Sequence, residues 1–266
     1  MRLSHSKKMT VWLWTAALMV LARPNHGFAG NDDTGPGDKP LLPVVAIAIE
    51  SDSQNGMQPL ARGLPAISGN GKMVAFIASR GEYDESGWED LRIVSQNGRC
   101  KRVLLEKYDR PPRPPQSPRL AKTMRKAVKK AQALLDAGKF TPLQEFTYPD
   151  GSEPDASVYE IEEKPLLVGS WLLTYQVASR TLRILDRKGK QVFARQAAMK
   201  KPDYCCQSAN PGEKCVVGYQ NIRAWGNGKV VFVLGEYRGY PDGCETDYHY
   251  WAIWPAEGKG HLETNR

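Results

Sequence analysis

Carboxylates and aromatic rings gather in two stretches of the chain. Glu82, Asp84, Glu85, Glu89 and Asp90 stand together, with Tyr83 and Trp88 among them. Asp242, Glu245 and Asp247 form a second group, flanked by Tyr237, Tyr240 and Tyr248. Two acids across a cleft suffice for glycoside hydrolysis, which makes Asp84, Glu85, Asp242 and Glu245 the residues of a hydrolase reading. Several acids on one rim can ligate calcium. Exposed rings beside carboxylates can also hold a sugar or a peptide, and loops on a rigid β framework are where such residues usually lie. The rim is therefore expected to bind rather than to catalyse. The candidate binding residues are Tyr83, Asp84, Glu85, Trp88, Tyr237, Tyr240, Asp242, Glu245 and Asp247. No catalytic residue is assigned, and neither a metal nor a cofactor is expected.

Other chemistries have little to draw on. Beyond the first 29 positions the chain holds only His249 and His261. A strand over Asp247–Trp254 puts His249 on one face with Trp251 and Ile253, as a packed, hydrogen-bonded side chain. No G-x-S-x-G, H-E-x-x-H or EF-hand pattern occurs. The stretch Gly69-Asn70-Gly71-Lys72 looks like part of a phosphate loop, but Ala66 stands where the first glycine belongs and Met73 where a hydroxyl would bind magnesium. Asn-Gly instead suits a tight turn that launches the strand Val74–Ala78.

All five cysteines lie beyond position 29: Cys100, Cys205, Cys206, Cys215 and Cys244. The first 29 residues read as a secretory signal: Arg2, Lys7 and Lys8 precede a 13-residue uncharged run, Met9 to Leu21, and Gly27-Phe28-Ala29 sets small residues at a cleavage site. Export, periplasmic or extracellular, makes disulfides the default. Two bridges are expected among Cys205, Cys206, Cys215 and Cys244, leaving Cys100 over; a four-thiolate zinc site lacks the usual C-x2-C spacing. No later segment is apolar enough to span a membrane. The net charge of +8 includes Arg2, Lys7, Lys8 and Arg23 of the leader and so implies no partner by itself. Export also argues against nucleic acid.

The elements repeat. Leu91-Arg92-Ile93-Val94 runs to Gly98-Arg99, Leu182-Arg183-Ile184-Leu185 to Gly189-Lys190, and Trp251-Ala252-Ile253-Trp254 to Gly258-Lys259. Each Ile stands five residues before its Gly. Gly226-Asn227-Gly228-Lys229 repeats the Gly69–Lys72 device before Val230–Leu234, and Trp171–Val177 is a further strand. Three strand–loop–strand–turn units result. None can bury both faces alone, and stacking around an axis would bury them. Val44–Glu50 and Ser157–Ile161 are candidate extra strands.

The run Ser68-Gly69-Asn70-Gly71-Lys72-Met73-Val74-Ala75-Phe76, then Asp90-Leu91-Arg92-Ile93-Val94 and Asn97-Gly98, resembles the TolB-type, WD40-like β-propeller repeat. Residues 66–99 give the good copy; 171–190 and 226–259 are degenerate ones. Gly69 replaces the usual Pro and Asn70 the usual Asp. The resemblance implies a scaffold that binds protein partners in the periplasm or caps enzymes, and it carries over no catalytic residue.

The middle of the chain breaks the β pattern. Residues 110–118 form a stiff, Pro-rich connector. A helix follows over 118–137, capped by Ser117 and ended at Gly138, with Leu120, Met124, Ala127, Val128, Ala131, Leu134 and Leu135 on one face. Lys122, Arg125, Lys126, Lys129 and Lys130 occupy the other. From Arg92 to Lys130 there are 13 basic residues against Glu106 and Asp109. Such a face can lie on anionic lipid or meet an acidic partner.

The expectation is therefore a signal peptide (1–29), a flexible linker (30–40) and one mostly β domain (41–266). That domain is propeller-like, or a partial propeller of antiparallel blades, with one inserted amphipathic helix. The expected function is non-catalytic binding or scaffolding of a protein or glycan partner in the cell envelope. The alternatives are a small carboxylate-dependent hydrolase and an anionic membrane-surface binder acting through the basic helix.

Overall fold

The computed structural model describes residues 45–52, 56–80, 87–108, 118–147, 156–196, 216–240 and 247–264. The chain divides into Met1–Leu41 and a compact unit, Leu42–Arg266, to which everything below refers. The unit is mostly β. It opens with the hairpin β1 (Ala46–Asp52) and β2 (Gly56–Arg62). Sheet I follows, with β3 (Ala66–Ile67), β4 (Met73–Arg80), β5 (Gly87–Ser95) and β6 (Cys100–Tyr108). Helix α1 (Pro118–Gly138) leads to β7 (Thr141–Pro142), which joins the β3 edge of sheet I. Next come β8 (Gln144–Phe146), β9 (Ala156–Ser157) and a short helix, α2 (Val158–Glu163). Sheet II is β10 (Leu166–Val168), β11 (Trp171–Gln176), β12 (Thr181–Leu185) and β13 (Gln191–Gln196). Sheet III is β14 (Val216–Gly226), β15 (Val231–Tyr240), β16 (Asp247–Trp254) and β17 (Lys259–Thr264), with β8 and β9 alongside β14.

Each sheet is an antiparallel meander of four consecutive strands, and the three meanders contain the three sequence units. Alternation along the strands decides how they stack. In β15 and β16, Val231, Val233, Trp251 and Ile253 pack into one cluster with Leu173, Tyr175, Leu182 and Ile184 of sheet II. The intervening Val230, Phe232, Tyr250, Ala252 and Trp254 pack into another with Val74, Phe76 and Val94 of sheet I. Sheet III is thus the middle layer, buried on both faces, which is why Val230–Leu234 and Trp251–Trp254 read as continuous apolar runs. Sheet I turns its other face, Ala75, Leu91, Ile93, Val103 and Leu105, to the hairpin and to Met124, Val128, Ala131 and Leu135 of α1.

The helix matches its expected span and face, with two differences. Leu120 is exposed, so the buried stripe begins at Met124. The left-handed residue that ends α1 is Lys139 (φ 49), not Gly138. Gly138 is required for a different reason: a Cβ there would lie 2.3 Å from the Phe140 ring. The helix is also not alone. Ser157–Ile161, expected as a strand, is mostly α2: Ile161 is fully buried in the core between sheets II and III, and the exposed Glu162 and Glu163 that follow are good helix formers.

The tight turns explain the repeat. In each of three turns the glycine is left-handed, with φ of 82 at Gly98, 79 at Gly189 and 60 at Gly258. Its N–H donates to the carbonyl three residues back, on Ser95, Asp186 and Pro255. The five-residue spacing from Ile to Gly therefore encodes one turn geometry used three times. Gly189 has no neighbour that a Cβ would touch, and Gly228 has none either but lacks the positive φ. Gly189→Ala should then cost about 1–2 kcal/mol from backbone strain alone, while Gly228→Ala should be near neutral. Urea midpoints of the two variants test this.

A meander places alternate connections at opposite ends, so these turns and those of β3–β4, β10–β11 and β14–β15 share one end of their sheets. The ends adjoin: Gly71 lies against the Lys229 side chain, Gly98 against His261, and Gly169 against the Asn227 carbonyl. The remaining connections, β4–β5, β11–β12 and β15–β16, leave from the opposite rim.

Candidate functional site

The Gly69–Lys72 stretch is a turn and nothing more. The Gly71 N–H donates to the Ser68 carbonyl at 2.8 Å, the Asn70 side-chain oxygen accepts the Lys72 N–H at 3.0 Å, and the Ser68 hydroxyl accepts the Met73 N–H at 3.0 Å. The Gly71, Lys72 and Met73 N–H groups that a phosphate would need are already spent within the loop, and the Gly69 N–H donates to the Gly138 carbonyl at the end of α1.

The opposite rim is more open. Because β3 is only two residues long, it covers β4 at Val74 and Ala75 alone. Past that point the edge of β4, from Ile77 to Ser79, faces sheet III across a cavity of about 320 Å³. Register assembles the far wall. Arg223 on β14 pairs with Leu234 on β15, which pairs with Tyr250 on β16. Two rungs further, on the same face, Glu236 pairs with Tyr248. Two rows across three strands therefore present a cation, an acid and two phenols to the cavity. Tyr250 ties the walls together: its ring stacks on Phe76 at 4.9 Å and its hydroxyl accepts the Ser79 N–H at 3.3 Å. Arg223 is aimed by its neighbours, donating to Glu145 at 2.7 Å and lying 4.9 Å over the Trp225 ring. The Arg223–Glu145 pair is over one-third exposed on both sides, so it orients more than it stabilises.

Of the sequence-predicted binding residues, Tyr83, Asp84, Glu85, Asp242 and Glu245 lie outside the described residues. The strands that flank those segments, β4–β5 and β15–β16, end side by side on this rim. Tyr237, Tyr240 and Asp247 are placed by backbone alone, with Tyr237 opposite Asp247 in the ladder. Trp88 is half-buried on β5, its ring 5.3 Å from the Arg92 guanidinium. The sequence reading missed Arg223, Glu236, Ser79 and Tyr250. The alternation of Leu234, Glu236, Tyr248 and Tyr250 on one strand face was the available signal.

A second polar group lies inside the packing of sheets I and III. Arg92 is fully buried. It donates to Asp90 at 2.9 Å, to the Thr264 carbonyl at 2.6 Å and to Glu263 at 3.4 Å. Glu263 also accepts from Arg102 at 2.6 Å and contacts His261 at 2.8 Å. Burial pushes the Glu263 carboxyl up, but hydrogen bonds and charge from His261 and Arg102 outweigh it and hold it at about 2. Burial dominates for Asp90 and raises it despite Arg92. Burial, together with the Glu263 charge, raises the Cys100 thiol, so this free cysteine is poorly disposed to act as a nucleophile. Cys205, Cys206, Cys215 and Cys244, the expected disulfide residues, lie outside the described residues.

His249 is a packing residue. It is buried, on the Trp251 and Ile253 face, and its Nδ1 is 2.9 Å from the Tyr219 hydroxyl, which accepts from Trp251 Nε1 at 2.9 Å. Lys122, Arg125, Lys126, Lys129 and Lys130 are all exposed along α1. No described helix is long and apolar enough to cross a membrane, and the described residues hold no cluster of metal-ligating side chains. Comparison with protein-family models, curated proteins and solved structures finds no match.

Proposed function

We propose that the chain is an exported, non-catalytic binding protein that holds a peptide or glycan segment in the cleft between sheets I and III. The observation that carries this reading is the two-row wall: Arg223, Glu236, Tyr248 and Tyr250 converge on the edge of β4 beyond the reach of β3. The phenols supply flat amphipathic surface, and the two charges set orientation. Among the described lining residues Glu236 is the one carboxylate, where glycosidase chemistry asks for two. The framework is read as an incomplete propeller. In its favour are the three four-stranded meanders and the shared rim of turns, with the hairpin and α1 covering the outer face of sheet I. Export is read from the leader-like pattern of residues 1–29, a basic start, an uncharged apolar run and Gly27-Phe28-Ala29.

The test is capture from a cell-envelope extract by the immobilised chain. The doubly substituted Arg223→Ala, Glu236→Ala protein should lose at least tenfold of the retained material. Lys126→Ala with Lys130→Ala, on the helix, should retain it. Protease or periodate treatment of the extract separates peptide from glycan. Equal retention by the cleft variant contradicts the reading.

A further inference from the structure

Among the described residues the β1–β2 hairpin is a two-stranded sheet of its own, so β1 has an edge with no described strand beside it. That edge runs along α1. The register sets Ile49 opposite Pro59 and Ile47 opposite Ala61. Proline has no N–H, and in an antiparallel ladder only alternate pairs exchange hydrogen bonds. Ile49 and Ile47 therefore turn their N–H and C=O groups away from β2.

Gln132 of α1 shows what that edge accepts. Its Oε1 takes the Ile47 N–H at 2.8 Å, and its Nε2 reaches the Val45 carbonyl at 3.5 Å. One side-chain amide sits where a residue of a parallel neighbouring strand, opposite Ala46, would place its own C=O and N–H. The next such position lies between the Ile47 carbonyl and the Ile49 N–H. It opens on a groove of about 490 Å³ between β1 and α1. Ile47, Ile49 and Val128 make its walls apolar, while Arg125 and Lys129 stand at its lip. Lys122, Lys126 and Lys130 extend the positive face, and Asp136, the lone acid of α1, is engaged by Gln132 at 2.8 Å.

We propose that this groove receives an extended acidic peptide, which adds to β1 as a parallel third strand beyond Gln132, with its acids on Arg125 and Lys129 and alternate apolar side chains on the groove floor. Strand addition of this kind draws affinity from the main chain and specificity from alternate side chains. A lipid chain would fill the apolar floor but bury the Ile49 N–H without a partner, a desolvation cost that a peptide avoids. The proposal is independent of the cleft between sheets I and III.

The test uses the full chain and a dye-labelled peptide of alternating glutamate and valine, followed by fluorescence anisotropy. Saturable binding is expected. Lysine in place of glutamate in the probe, or Arg125→Glu with Lys129→Glu in the protein, should weaken it at least tenfold. Methylating one alternate set of the peptide's backbone nitrogens should do the same, and methylating the other set should not. The methylated probes are read on the unsubstituted protein, so the result does not depend on how the variants fold. Absence of binding at millimolar peptide overturns the proposal, as does indifference to both methylations, which would reduce the groove to a polyanion patch. Salt-sensitive sedimentation with phosphatidylglycerol vesicles that the acidic peptide does not compete away overturns it in favour of a membrane surface.

Discussion

Arg92→Leu should destabilise the protein by about 3–5 kcal/mol, the cost of removing one partner from a buried ion group. The side chain is wholly enclosed, and its loss leaves Asp90 without its 2.9 Å bond and the Thr264 carbonyl without its 2.6 Å one. Glu263 keeps Arg102 and His261, so the uncompensated charge falls mainly on Asp90. Adding Asp90→Asn to Arg92→Leu should therefore recover part of the loss, and urea denaturation of the three proteins measures it. The same group sets the acid limb. Glu263 titrates at about 2 in the folded chain against an ordinary 4.5, so its contribution is complete above about pH 4.5 and lost as pH falls towards 2. Asp90, shifted upward by burial, acts in the opposite sense. Glu263→Gln should flatten the pH dependence across that window.

Trp254→Ala should cost a similar amount, about 3–5 kcal/mol, through the cavity it opens. Trp254 is among the largest fully buried side chains, in the cluster that joins sheet III to sheet I. Its Nε1 donates to the Gly71 carbonyl at 2.8 Å, which fastens the end of β16 to the β3–β4 turn. Trp254→Phe keeps most of the volume and loses that bond, so it should cost closer to 1 kcal/mol. If the alanine variant melted like the parent, the packing of sheet III on sheet I would not be what holds the unit together.

The turns were the most legible part of the sequence. Ile93–Gly98, Ile184–Gly189 and Ile253–Gly258 share a spacing because a left-handed glycine closes each hairpin, and that requirement leaves a mark on residue type. The helix was equally plain, since its apolar stripe lasts long enough to register. The six residues of α2 are too few to show a helical period. Layer order was half-written in the uninterrupted apolar runs of β15 and β16, but which sheet lies on which face is decided by packing between distant segments. Arg92 was invisible as a buried residue: a guanidinium between Leu91 and Ile93 looks like the solvent side of a strand until Asp90, Glu263 and Thr264 are brought to it. The cleft escaped notice for a related reason. Its chemistry depends on a cross-strand register joining Arg223 to Leu234 and Tyr250, while the eye is drawn to acids in loops.

Hydrogen-exchange mass spectrometry of the full chain, with and without the material it retains from the envelope extract, tests the binding cleft most directly. Added protection is predicted at Ile77–Ser79, Leu234–Glu236 and Tyr248–Tyr250, with sheet II unchanged. Protection confined to sheet II or to the rim of glycine turns, or none at all in those three segments, would contradict it.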